Sequence, residues 1–223
     1  MVNKIDGSSI LGGVYYNTAI SDTAIYIMKL SPTGDVVWSK KIFIERAYFS
    51  NFNLVELDNG DIVASFFPGH FSNDIRIVKL NPLGDLVWAK SLALQNFQFI
   101  SDLNTYTDNN KIYLSFNSSG TGVTAISWNT TIIKIDENAD VVWSKFYSNT
   151  NGDCFNAIPA GIIKSGDSLI VLGRLPGPPD CQQSYDTDIE QSYYSLKVSD
   201  ANGALGKSVN YSLPQDIWYL YGG

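Results

Sequence analysis

At 223 residues the chain is long enough to bury a sizeable core without a disulfide framework, and with 44% hydrophobic, 13% aromatic and 17% charged residues it is too apolar for disorder. Its 15 basic and 22 acidic residues leave a net charge of −7 and a pI near 4.6, which excludes phosphate-backbone binding, because that draws on clustered Lys and Arg. The longest uncharged apolar runs, residues 10–16 and 169–173, fall far short of the roughly twenty residues a membrane-spanning helix needs, and residues 1–6 lack the pattern of a signal peptide.

Taken along the chain, the first signal is an Asp6-Gly7 step leading into Ile10-Leu11-Gly12-Gly13. A longer segment follows: Ile25-Tyr26-Ile27-Met28-Lys29-Leu30-Ser31-Pro32-Thr33-Gly34-Asp35-Val36-Val37-Trp38-Ser39-Lys40. Both return. Asp58-Asn59-Gly60-Asp61-Ile62-Val63 precedes Ile75-Arg76-Ile77-Val78-Lys79-Leu80-Asn81-Pro82-Leu83-Gly84-Asp85-Leu86-Val87-Trp88-Ala89-Lys90. Asp108-Asn109-Asn110-Lys111-Ile112 precedes Ile132-Ile133-Lys134-Ile135-Asp136-Glu137-Asn138-Ala139-Asp140-Val141-Val142-Trp143-Ser144-Lys145. A worn fourth copy joins Ser165-Gly166-Asp167-Ser168-Leu169 to residues 194–207, in which Gly206 aligns with the tryptophans. The recurring lysines 29, 79, 134 and 197 are spaced by 50, 55 and 63 residues, the blade range of a propeller plus loop insertions.

Each unit reads as two hairpins. Asp-Gly and Asn-Gly steps between β-rich runs mark the first, and Pro-x-Gly-Asp and its variants mark the second. Four antiparallel strands make one propeller blade, so the expected fold is all-β, a β-propeller of four four-stranded blades, with a fragment or half of a larger propeller as the alternative. A β-sandwich has no reason to repeat one four-strand unit in register. In the second repeat the strands are expected at 53–57, 61–67, 74–80 and 85–92. One domain spans residues 1–223, with repeats near 1–48, 49–96, 97–150 and 151–211. The tail, residues 212–223, aligns with the strand that opens later repeats and is expected to complete the first blade and close the ring.

Residues 29–40 and 79–90 resemble the secreted bacterial propeller-type repeats in which Lys-Leu-x-x-x-Gly-x-x-x-Trp-x-Lys follows a strand entered from Asp-Gly. The resemblance covers nearly the whole chain. It implies an exported or cell-surface scaffold or binding module and assigns no catalytic residue.

Trp38, Trp88 and Trp143 recur at one site and are expected to pack between blades as repeat core. The recurring lysines read as strand ends whose stems cover apolar surface. Trp128, Tyr185, Tyr193 and Trp218 lie outside the repeat register and are candidate ligand-stacking residues. Asp186, Asp188 and Glu190 offer hard oxygen ligands to Ca²⁺ without completing a calcium-loop motif, so no cofactor is expected beyond that ion. Cys154 and Cys181 form a candidate disulfide suited to an oxidising compartment. The one histidine, His70, excludes multi-histidine metal sites, and no nucleophile elbow or phosphate loop is present. These readings predict a non-catalytic extracellular recognition or scaffold module with a protein or glycan partner, present as a monomer or as a dimer completing a larger ring. The alternatives are a propeller hydrolase or lyase using Asp186, Asp188 or Glu190, and a purely structural repeat of a larger surface assembly.

Overall fold

A computed structural model describes residues 2–3, 7–17, 22–43, 50–68, 74–94, 97–120, 128–147, 158–175 and 192–212. Among these residues sixteen strands form four antiparallel sheets of four, each taking its strands in chain order. The first sheet holds β1 (Val2–Asn3), β2 (Ser9–Asn17), β3 (Asp22–Leu30) and β4 (Val36–Phe43). The second holds β5 (Ser50–Glu56), β6 (Ile62–Phe67), β7 (Asp74–Leu80) and β8 (Leu86–Ala93). The third holds β9 (Phe97–Asp108), β10 (Lys111–Gly120), β11 (Trp128–Ile135) and β12 (Val141–Tyr147), and the fourth β13 (Ile158–Ser165), β14 (Ser168–Leu175), β15 (Ser192–Ser199) and β16 (Leu205–Ser212). The protein has the β-propeller architecture its repeats predict, and the second repeat's strands fall within a few residues of their expected bounds.

The alternation of each strand divides its residues between two neighbours, and three apolar clusters result. Ile10, Ile25 and Ile27 of the first sheet meet Ile62, Ala64, Phe66, Val78 and Leu80 of the second. The opposite face of the second sheet, with Val63, Phe67, Ile75 and Ile77, meets Ile112, Leu114, Phe116, Ile133 and Ile135 of the third. Tyr113, Ile132 and Trp143 then meet Ile162, Leu169, Val171 and Val198 of the fourth. The stack therefore runs first, second, third, fourth, and the extensive contacts among the described elements do not join the fourth sheet to the first.

The two outermost faces are correspondingly exposed. On the first sheet Tyr15, Tyr26 and Phe43 share the face turned away from the second, and Phe43 is 67% exposed. The Lys41 ammonium lies over the rings of Tyr15 and Phe43, at 4.9 and 4.4 Å. On the fourth sheet the outward face carries Ile163, Leu172 and Tyr211, all about half exposed. Ser212 ends β16, whereas the rest of the proposed closing tail lies outside the described residues. Among the described residues, Val2–Asn3 pairs against the start of β2, in the register Val2 to Ile10 and Asn3 to Ser9.

The repeated tryptophan does more than pack. Each indole N–H donates to a backbone carbonyl at the second residue of the next blade's turn: Trp38 to Pro82 at 3.2 Å, Trp88 to Glu137 at 3.1 Å and Trp143 to Asp200 at 2.9 Å. Two residues on, Lys40 and Lys90 reach the turn-closing aspartates Asp85 and Asp140, at 3.3 and 3.5 Å. A Cβ on Gly84 would lie 2.8 Å from the Trp38 ring and one on Gly203 2.9 Å from the Trp143 ring, so the indole lies against the backbone of a left-handed turn. In the third blade Ala139 takes that backbone shape at φ 61°.

Two expectations are corrected here. The fourth turn holds one extra residue, with Gly203 N–H donating to the Ser199 carbonyl where Gly34 donates to Ser31, so pairing places Lys207, not Gly206, at the tryptophan position opposite Lys197. The recurring lysines are also not simple strand ends. Lys79 and Lys134 are buried and ion-paired, to Asp61 at 2.8 Å and to Asp200 at 2.6 Å. A buried ammonium needs a paired carboxylate to offset its desolvation, and both lysines also donate to the next blade's turn, at the carbonyls of Glu137 and Asp200.

Candidate functional site

In a four-stranded meander the connections between strands one and two and between three and four lie at one end, while the remaining connections lie at the other. The tight turns here therefore mark a turn end, and the inner strands β5, β9 and β13 start from the opposite end. Each inner strand carries one extra residue near that start: between Ser50 and Asn53, between Ser101 and Asn104, and between Pro159 and Gly161. Asn51 and Asp102 occupy two of these bulges in the left-handed region, at φ 58° and 56°. Asn and Asp tolerate that shape better than other side-chain-bearing residues, and bulges re-aim side chains at the rims of sheets.

Asp102 is thereby set on the innermost strand of the third sheet, its carboxylate accepting from the Ser101 hydroxyl at 2.6 Å. Asn104 donates from its side-chain amide to the Asp102 carbonyl at 3.2 Å and across the blade boundary to the Pro159 carbonyl at 2.7 Å. Asn53, at the equivalent position one blade earlier, donates to the Leu103 carbonyl at 2.6 Å. The polar row continues in Ser65 and Thr105, 2.6 Å apart, and in Thr130 against the Tyr194 hydroxyl, also 2.6 Å. Burial pushes Tyr194 up to about 12, so it remains a neutral hydroxyl.

The densest ionisable cluster lies at the turn end, between the third and fourth sheets. Asp200 accepts from Lys134 at 2.6 Å and from the Tyr113 hydroxyl at 2.8 Å, and pairs with Lys164 at 3.2 Å; Lys164 also reaches Asp108 at 2.5 Å. Burial works to raise Asp200, but the hydrogen bonds from Lys134, Tyr113 and Lys164 outweigh it and hold the carboxyl below its usual range. The hydrogen bond from Lys164 likewise lowers Asp108, and that to Asp108 raises Lys164. Because Lys79 donates to the carbonyl of Glu137 as Lys134 does to that of Asp200, each the second residue of the next blade's turn, the inter-blade contact repeats one blade earlier and this cluster is architectural: it fastens blades together.

The candidate ligand, metal and disulfide residues singled out from sequence, with His70, fall into two groups. Tyr185, Asp186, Asp188, Glu190, Cys154, Cys181, His70 and Trp218 lie outside the described residues. Trp128 opens β11, and Tyr193 lies on β15 opposite Arg174, facing away from the third sheet, whereas Tyr194 faces toward it. Among the described residues no group of three or more His, Cys, Asp or Glu is placed to hold a metal ion. Sequence reading passed over Asp102 and Asn104. The signal for them is the recurrence of Asn51 with Asn53 and Asp102 with Asn104, an i, i+2 pair in successive inner strands.

No protein-family model matches the sequence, and no curated protein sequence does. Solved structures match the fold. A variant of an α-L-arabinofuranosidase of Fusarium graminearum, in complex with an iminosugar inhibitor, aligns with a TM-score of 0.57 at 15% identity over 95% of this chain and 64% of its own. The glycoside hydrolase family 93 α-L-arabinofuranosidase of the same organism, with arabinobiose, aligns at 0.53 and 14% identity over 93% of this chain and 66% of its own. A variant of the apocarotenoid oxygenase of Synechocystis aligns at 0.50 and 11% identity, over 92% and 46%. The chain thus spans about two thirds of the arabinofuranosidases it is similar to. These findings support the propeller fold. They also correct the expectation of a non-catalytic recognition or scaffold module, since these solved propellers are glycoside hydrolases and an oxygenase.

Proposed function

We propose that this chain supplies blades of a propeller hydrolase acting on glycosidic bonds, with Asp102 as one of its working carboxylates. The observation that carries the reading is the position of Asp102, a carboxylate set by a left-handed bulge on an innermost strand beside a row of Asn, Ser and Thr side chains suited to sugar hydroxyls. The arabinofuranosidase likeness supports it, and pentofuranose-containing glycans are the substrate class to try first. Glycoside hydrolysis uses two carboxylates flanking the scissile bond. Asp186 and Glu190 are the candidates for the second, because β14 ends and β15 begins at the end of the blades opposite the tight turns, the end from which β9 starts. We also propose that the protein acts outside the cytoplasm, the setting of the surface proteins whose repeats its own resemble.

The test is hydrolysis of aryl glycosides and arabino-oligosaccharides by the chain and by Asp102→Asn, with thermal melts alongside. A drop of at least about 100-fold in kcat with an unchanged melt supports the assignment. Equal turnover by the two proteins removes Asp102 from the mechanism, and no turnover on any glycoside overturns the reading.

A further inference from the structure

We propose that the turn formed by residues 31–35, at the end of the first sheet, is a socket for a further blade of the same repeat, one whose outermost strand carries Trp-x-Lys. The three internal blade boundaries show what fills such a turn. At each, an indole N–H from the preceding blade donates to the carbonyl of the turn's second residue, and at the first and third boundaries the ring lies against the turn glycine. At the first two boundaries a lysine two residues on pairs with the closing aspartate.

The first turn has the same parts. Gly34 N–H donates to the Ser31 carbonyl, Ser31 N–H to the Asp35 carbonyl, and Gly34 holds φ 88°. Pro32 supplies the second-position carbonyl and Asp35 the closing carboxylate. Yet a Cβ on Gly34 would meet no atom of the described residues within 4 Å, whereas those on Gly84 and Gly203 would run into indole rings. The sheet face above the socket continues the same contrast. Ala64, Val78 and Leu80 of the second sheet are buried against the first, while the matching Leu11, Met28 and Leu30 are only half-buried.

A second copy of this chain does not complement the socket. Its tryptophans 38, 88 and 143 are already engaged, and its fourth sheet presents Lys207 and Val209 where Trp and Lys are needed. The occupant is therefore a further repeat of the Trp-bearing kind, packed by continuation of the interface already used three times.

The experiment joins a second copy of residues 97–147 ahead of the full chain and compares amide hydrogen exchange across residues 31–35, with thermal melts, against the unfused protein. The expected result is at least tenfold slower exchange at Ser31 and Gly34 and a higher melting temperature. Both gains should be lost with Asp35→Ala and Gly34→Leu together, substitutions that leave the added repeat intact. Unchanged exchange in the fusion overturns the proposal. So does concentration-dependent protection of residues 31–35 in the unfused chain with dimerisation by light scattering, which would make the occupant a second copy.

Discussion

Replacing Trp143 tests whether the blade stack is held by a directed hydrogen bond as well as by packing. Trp143 is 8% exposed, sits in the cluster between the third and fourth sheets and donates to the Asp200 carbonyl at 2.9 Å. Truncating a buried Trp to Ala costs about 3–5 kcal/mol. Trp143→Phe keeps most of the apolar contact and removes the donor. The Asp200 carbonyl retains the Lys134 ammonium at 3.0 Å, so no acceptor is orphaned and the loss stays near the net value of one hydrogen bond plus a little packing, about 1–2 kcal/mol. At about 2–4 °C per kcal/mol for a protein of this size, Trp143→Phe should lower the melting temperature by about 2–8 °C and Trp143→Ala by about 6–20 °C. Differential scanning calorimetry at pH 7 reads both. Equal losses for the two variants would mean that the ring's bulk contributes little, and losses below about 2 °C for both would refute the view that this tryptophan fastens the fourth blade to the third.

Three further outcomes follow from the same geometry. Gly34→Ala and Gly84→Ala share the strain of a left-handed Cβ, about 1–2 kcal/mol, but only the second drives that Cβ to 2.8 Å from an indole, so its melting temperature should fall at least about 2 °C further. Tyr147 and Tyr194 are pushed up to about 12 by burial; since their folded pKa lies above the unfolded one, the stability they contribute is full below about pH 10 and lost as pH rises toward 12. Alkaline melts should show this loss, and Tyr194→Phe should blunt it. On the acid side, Asp108 and Asp200 are depressed, so their contribution is present above about pH 4 and lost as pH falls below it; Lys164→Met should lower stability at pH 7 and flatten that acid loss.

Repetition made the fold legible. A Trp-x-Lys strand after a Pro-x-Gly-Asp turn, recurring with an Asp-Gly hairpin ahead of it, specifies a four-stranded antiparallel unit, because turn chemistry and strand alternation are local properties of the chain. That the tryptophans would be large inter-blade side chains was readable for the same reason. Which atom their N–H groups would meet was not: the carbonyls of Pro82, Glu137 and Asp200 lie 44, 49 and 57 residues downstream, and only the stacking of one sheet on the next brings them within reach.

The site shows the same division. The chemistry-bearing residues that stood out in sequence did so by being unusual in composition, as in the acidic stretch around Asp186, whereas Asp102 looks like any polar residue in a strand until pairing with β10 reveals the extra residue that turns it. A bulge is a mismatch between two strands, so neither strand contains it alone. The register of the fourth blade, the ion pairing of Lys79 and Lys134, and the face of the 31–35 turn that no described residue covers likewise depend on where neighbouring sheets come to rest. Local sequence determined what each blade is, and tertiary packing decided what each blade touches.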